Sequence, residues 1–157
     1  MEDPGSQNML WQALLLFILT LLNAFFSAAE MAMVSLNRAR VEQKAEEGDL
    51  KYIRLLAVLE SPNNFLSTIQ VGITVINILS GASFADNLGK LFSSWMGNSE
   101  TARAIGTFLA LVLLTYISIV LGELYPKRIA MNLKDNLAVR AAPVIIFLGK
   151  IVSPFVW

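Results

Sequence analysis

Long stretches of this chain carry no charge, and that limits its folds more than anything else in the sequence. Ser61 to Ala85 is 25 residues without a charged side chain, and Ala104 to Leu121 is another 18. A third apolar block, Leu10 to Ala29, has only Gln12, Thr20, Asn23 and Ser27 as polar interruptions. A helix advances ~1.5 Å per residue, so ~20 such residues cross a ~30 Å hydrocarbon core. Inside lipid a lone segment can satisfy its backbone polar groups only as a helix. The composition agrees: 15% of residues are charged and mean hydropathy is +0.60, against about 25% charged in a soluble domain. The expected fold class is an all-α integral membrane protein with three transmembrane helices, at about 10–36, 61–85 and 101–124.

The intervening segments supply the orientation. Residues 1–9 form a polar arm without Lys or Arg. Asn37 to Glu60 is highly charged and contains a turn signal at Gly48–Asp49, which reads as a helical hairpin at the membrane surface. Ser61–Pro62–Asn63–Asn64 is a helix start, with proline early and capping residues around it. Asp86 to Arg103, with Gly89, Gly97 and Asn98, reads as a polar loop. Five cations lie between the first two spans (Arg38, Arg40, Lys44, Lys51, Arg54), two between the second and third (Lys90, Arg103), and four in the basic connector that follows the third (Lys127, Arg128, Lys134, Arg140). Cytoplasmic loops are enriched in Lys and Arg. The bias therefore predicts an extracytoplasmic N-terminus, a cytoplasmic hairpin and a cytoplasmic C-terminus. Residues 141–157 are apolar but interrupted by Pro143, Lys150 and Pro154, and read as a re-entrant or surface-lying juxtamembrane helix. The chain stops at Trp157 within this apolar segment, as expected of a piece of a longer protein with a cytoplasmic continuation.

Composition also limits the chemistry. The formal net charge is zero, so no basic field attracts nucleic acid. Cysteine and histidine are both absent. That removes disulfides, thiolate and imidazole metal sites, and the usual general base. Any metal ion must be hard and oxygen-held, such as Mg²⁺, Ca²⁺, Mn²⁺ or an alkali ion.

Three polar constellations interrupt the spans. Gly122–Glu123–Leu124–Tyr125–Pro126–Lys127 closes the third span. Glycine and proline this close end or bend a helix, and a carboxylate there marks a functional site by default. Its structural reading is a glycine cap with Glu123 at the headgroups paired to Lys127. Ser27–Ala28–Ala29–Glu30 has the S-x-x-E spacing of a capping box that restarts a helix after a break near Ser27. Gln70, Thr74, Asn77 and Gly81 share one face of the second span by spacings of 4, 3 and 4. The structural reading of that face is interhelical hydrogen bonding. Thr115, Ser118 and Gly122 share a face of the third. Together, Ser27, Asn77 and Glu123 with backbone carbonyls near Ser27 and Gly122 make a convergent oxygen set suited to Mg²⁺, and Na⁺ uses similar ligands.

The same residues carry a family resemblance. Phe25 to Leu36 (FFSAAEMAMVSL), Phe65 to Leu79 (FLSTIQVGITVINIL) and Leu121 to Lys127 (LGELYPK) together resemble the transmembrane domain of the CorC/CNNM proteins, magnesium transporters and efflux proteins of bacteria and animals. The resemblance covers about Leu10 to Trp157. It implies a three-span domain with a C-terminal juxtamembrane belt helix, acting as a homodimer. It implies Mg²⁺ export with Na⁺ as the coupling ion, no organic cofactor in this domain, and cytoplasmic CBS-pair and CorC-type domains in the remainder of the protein. The implied metal site is Ser27, Asn77, Gly122 and Glu123, with Glu30, Thr74, Ser118 and Gln70 as additional metal or coupling-ion candidates. Two positions depart from the family pattern. Ile73 stands where many relatives have Asn after the glycine of the second motif, and Glu30 stands where animal relatives tend to have Asn.

Two other functions compete. A Mg²⁺-responsive regulatory or scaffold module would use the polar faces for partner contact and move no ions. An intramembrane enzyme, without His or Cys, is restricted to Ser–Lys or carboxylate schemes, and nothing in the sequence suggests a substrate. The expectation is a transporter, not an enzyme.

Overall fold

A computed structural model of the chain describes residues 4–97 and 99–156, and every element among them is helical. In order they are α1 (Pro4–Val34), α2 (Arg38–Glu46), α3 (Leu50–Leu59), α4 (Pro62–Trp95), α5 (Glu100–Ile119), a π-helical turn (Val120–Leu124) and α6 (Tyr125–Val156). Three helical runs are long and apolar enough to cross a membrane: Leu10–Val34, Pro62–Trp95, and one within Glu100–Val152. Their outward faces are apolar, with Phe17, Leu21, Val75, Ile78, Phe108 and Val112 all exposed.

Local chemistry sets several boundaries. The Asn37 side chain accepts a hydrogen bond from Arg40 N to cap α2, and Asp49 accepts one from Lys51 N to cap α3. Gly48 closes the α2–α3 turn at φ +87°, a backbone conformation that favours glycine. Pro62 opens α4, where its missing N–H has no cost.

Four expectations need correction. α1 runs unbroken through Ser27. The helix-forming alanines around that residue keep it in the helix, so Ser27–Glu30 does not cap a new helix. α1 also begins at Pro4, so most of the expected arm is helical. Residues 1–3 of that arm, Asn98 of the expected loop and Trp157 lie outside the described residues. α4 continues past Ala85 to Trp95, and the expected polar loop is reduced to a turn at Gly97 (φ +92°). Gly89 serves helix packing there rather than chain reversal. Finally, Gly122 and Pro126 do not end the third helix. The helix changes register, with Tyr125 N–H bonding back to Val120 O, and continues as α6 through the expected basic connector. Proline cannot donate to the carbonyl four residues earlier, and its ring clashes with it. A turn one residue wider relieves that conflict.

α6 is the strut that carries the hairpin. It bends at Leu133 (φ −112°, ψ 18°). Its inward face is small: Ala130, Ala138, Ala141 and Ala142 are all buried, as are Val41 of α2 and Leu55 of α3 in the same core. Lys134 Nζ donates to Ser35 O at 3.0 Å, placing a cation at the carbonyl end of α1, where the helix dipole favours it. Arg40 and Asp135 pair at 3.0 Å, an exposed contact worth little in energy. The two basic segments are thereby brought to one end of the bundle.

At the opposite end α4 and α5 cross closely. Ala102, Gly106 and Ala110 form a buried small-residue stripe. A Cβ added at Gly106 would lie 2.6 Å from Gly89 O and 3.0 Å from Ser93 N, both backbone atoms. Backbones approach this closely only over small residues. Gly106→Ala is expected to destabilise the purified protein by about 1–3 kcal/mol, as overpacking does. Gly81→Ala meets nothing within 4 Å and should be neutral or stabilising, as expected for Ala over Gly in a helix. Thermal unfolding in detergent, monitored by size exclusion, checks both.

Candidate cation site

The π turn determines what faces the middle of the bundle. Gly122 is buried in it, and a Cβ there would sit 2.5 Å from Asn23 Nδ2. Any side chain at residue 122 would have to displace the Asn23 amide. Pro126 adds a second effect. It has no N–H, so the Gly122 carbonyl lacks its α-helical donor.

Asn23 is 1% exposed and lies at the centre of a side-chain network. Its Nδ2 is 3.4 Å from Asn77 Oδ1 and 3.5 Å from Ser118 Oγ, long contacts for amide hydrogen bonds. Ser118 Oγ donates to Asn77 Oδ1 at 2.9 Å. One residue from each of α1, α4 and α5 thus meets inside the bundle. On one side of this network is a cavity of about 180 Å³ bordered by Asn77, Ser80, Gly81, Thr115, Ser118 and Glu123. A smaller hollow of about 20 Å³ on the other side reaches Thr20 and Asn23.

Below Asn23 on the same face of α1 are Ser27, fully buried, and Glu30. Asn23 Oδ1, Ser27 Oγ and Glu30 Oε2 are buried atoms without a hydrogen-bond partner. Buried polar atoms are paired in the great majority of cases, and the exceptions call for a reason such as a bound ion. Lys127 Nζ is 2.9 Å from Glu30 Oε2, a partly exposed ion pair. Lys127 therefore pairs with Glu30 of α1 and not with Glu123, as the glycine-cap reading of the third span had it.

The predicted residues divide accordingly. Asn77, Ser118 and Glu123 border one cavity, Gly122 abuts the network through Asn23, and Ser27 is buried one turn from Asn23 along α1. Gln70 and Thr74 are exposed along α4, and the Thr74 hydroxyl donates to Gln70 O within its own helix at 2.8 Å. Within one chain they are not brought to the cavity. Ile73, after the second-motif glycine, is a buried core residue. Among the described residues no three His, Cys, Asp or Glu side chains cluster. A cation here would be held by amide, hydroxyl and carbonyl oxygens with Glu123 as the carboxylate. Mg²⁺ is commonly bound in this way, through one or two carboxylates and retained waters.

In the sequence Asn23 stands out only as a polar break in the first span. The available signal was its spacing to Ser27 and Glu30, four and then three residues, which places all three on one face.

Fold and site together define a three-span membrane protein with an oxygen-rich interior. Comparison with known proteins makes this specific. Residues 14–157 match the Cyclin M transmembrane N-terminal domain, and the chain belongs to this family, CNNM. It is 35% identical over 146 residues to the UPF0053 protein sll0260 of Synechocystis, covering 90% of this chain and 33% of that protein. It is 30% identical over 144 residues to UPF0053 protein YrkA of Bacillus subtilis, covering 89% and 33%. A polyamine export protein of Haemophilus influenzae is 28% identical over 148 residues, covering 88% and 33%. The chain spans about a third of the length of these relatives. It is an integral membrane domain in contact with the bilayer.

The Asn23–Gly122 contact makes a coupled prediction. Gly122→Ala should displace the Asn23 amide and destabilise by about 1–3 kcal/mol. In an Asn23→Ala background the same change should be close to neutral. A double-mutant cycle on thermal stability should give a coupling energy of roughly 0.5–3 kcal/mol, and strict additivity would refute the contact.

Proposed function

We propose that this chain is the membrane domain of a Mg²⁺ exporter in which Na⁺ entry drives the return step. The observation that carries this reading is the pair of buried oxygens without a protein partner, Asn23 Oδ1 and Ser27 Oγ, on the helix face whose Asn23 amide contacts Asn77 and Ser118, two residues that border the cavity with Glu123. A polar atom buried without a partner is destabilising by roughly 1–3 kcal/mol, and a cation would relieve that penalty. Mg²⁺ seeks about six oxygens near ~2.1 Å and keeps several waters. Ser27, Asn77, Glu123 and the Gly122 carbonyl are the proposed protein ligands, with Asn23 added to that set. One or two carboxylates, Glu123 with Glu30 as the additional candidate, give enough charge to hold a divalent ion without trapping it. The π turn can return to a tighter register, and such a change at Gly122 would move a ligand and alter access.

In this reading the N-terminus is extracytoplasmic, while the α2–α3 hairpin and the basic half of α6 lie in the cytoplasm. Gathering of both basic segments at one end of the bundle supports that orientation. The working unit is a homodimer, and CBS-pair and CorC-type domains belong to the rest of the protein. No reaction is catalysed.

A second reading takes the cargo as an organic polycation. It is favoured by the alkylammonium of Lys127, already 2.9 Å from Glu30, and by the relative that is a polyamine export protein. Proteoliposome flux separates the readings, with Mg²⁺ and spermidine offered separately to the purified chain. A regulatory module should move neither.

For Mg²⁺, Glu123→Gln should lower flux roughly tenfold or more, because ligand charge sets affinity at such sites. Unchanged flux would remove Glu123 from the site. Ser27→Ala should also impair flux. Its thermal stability should stay level or rise, because the lost hydroxyl has no protein partner. Impaired flux together with lowered stability would mark Ser27 as merely structural.

A further inference from the structure

Three buried side-chain oxygens without a hydrogen bond, Asn23 Oδ1, Ser27 Oγ and Glu30 Oε2, are all on α1. Spacings of four and three residues put them on one face, over a rise of ~10 Å at ~1.5 Å per residue. That face lies against the π turn and the start of α6. Gly122 touches it at Asn23, and Lys127 touches it at Glu30. The stripe is graded in exposure. Asn23 and Ser27 are at most 1% exposed, while the Glu30 and Lys127 side chains are 24% and 36% exposed. Its open end is therefore at Glu30, and Lys127 sits on it.

We infer that Lys127 is a tethered stand-in for the cargo, a resident ammonium that holds Glu30 until a divalent cation takes its place. The inference rests on the cation-transport reading above. The ammonium is 2.9 Å from Glu30 Oε2, a contact of opposite charges that a competing cation can replace. A carboxylate left alone in this setting is strongly unfavourable, and an internal cation neutralises it. An arriving Mg²⁺ can join Glu30 only by displacing Lys127, because two cations at one carboxylate repel. The same ion pair ties α1 to α6, so displacement also unlatches the two helices beside the π turn. When the cargo leaves, Lys127 returns, neutralises Glu30 and opposes re-entry. Lys127 thereby sets cation affinity and couples occupancy to helix movement, although an ammonium cannot itself be a metal ligand. Of the three unpaired oxygens on this face, that of Glu30 is nearest the hairpin along α1.

Calorimetric Mg²⁺ titration of the purified chain tests this. Lys127→Met retains much of the side-chain length but removes the charge, and should lower the Mg²⁺ Kd by about tenfold or more. Competition of two cations for one carboxylate is a coupling free energy, which typically changes affinity by roughly five- to 150-fold. Lys127→Arg should stay near the wild-type Kd, and the Glu30→Gln/Lys127→Met pair should return toward it. A second measurement needs no variant. Mg²⁺ should increase acylation of Lys127 by acetic anhydride relative to exposed Lys51, read by mass spectrometry. Wild-type Mg²⁺ binding with an unchanged Kd in Lys127→Met, or with unchanged Lys127 acylation, overturns the stand-in alone. Wild type that binds no Mg²⁺ overturns the cargo reading and the stand-in with it.

Discussion

The structure depends on the approach of Asn23 to Gly122. A side chain on residue 122 would occupy the volume of the Asn23 amide, so the network joining α1, α4 and α5 forms only because that position is bare. Pro126 enforces the arrangement from the other side by denying the Gly122 carbonyl its α-helical donor. The chain answers with a π turn, with Tyr125 N–H reaching back to Val120 O. One glycine and one proline, four residues apart, thus produce a close helix contact, a freed carbonyl and a register change at a single point. π turns inside α-helices are frequent at functional sites, and here the reason is visible: the turn aims polar groups inward at mid-bundle without breaking the helix.

The spans were legible because lipid imposes a length and a composition that no soluble fold needs. The hairpin was legible through its charge and the Gly48–Asp49 turn. What sequence could not give was the role of glycine. Gly89 and Gly122 read as breakers, yet both lie inside helices, where they admit a neighbour. Local propensity treats glycine as a loss of helix stability, whereas a tertiary crossing treats it as an absent side chain. The two uses look identical in a single sequence. Asn77, Ser118 and Glu123 could be grouped from sequence because each is a polar residue in or beside an otherwise charge-free span. Asn23 was passed over because one amide in a leucine-rich helix looks like a tolerated interruption. Gln70 and Thr74 share the helical face of Asn77 by spacing but are exposed. Spacing fixes which residues align along a helix, and only the neighbouring helices decide how much of that line is covered.

The arrangement of charge follows the same logic of membrane solvation. A carboxylate in the middle of a span is unfavourable by roughly 2.5–3.5 kcal/mol even on insertion scales. The chain keeps most of its interior donors neutral, as amide, hydroxyl and carbonyl oxygens. Its two carboxylates sit where their penalty is reduced: Glu123 at the wall of an open cavity, and Glu30 partly exposed beside Lys127. Neutral oxygens left unpaired are the other half of this balance. Asn23 Oδ1 and Ser27 Oγ have no protein partner, and a bound cation or an ordered water would complete their shell. A site fully satisfied by its own protein would be more stable and would have no reason to admit an ion. The interior of this bundle leaves protein oxygens unpaired along one face of α1, and the proposed cation path rests on those oxygens.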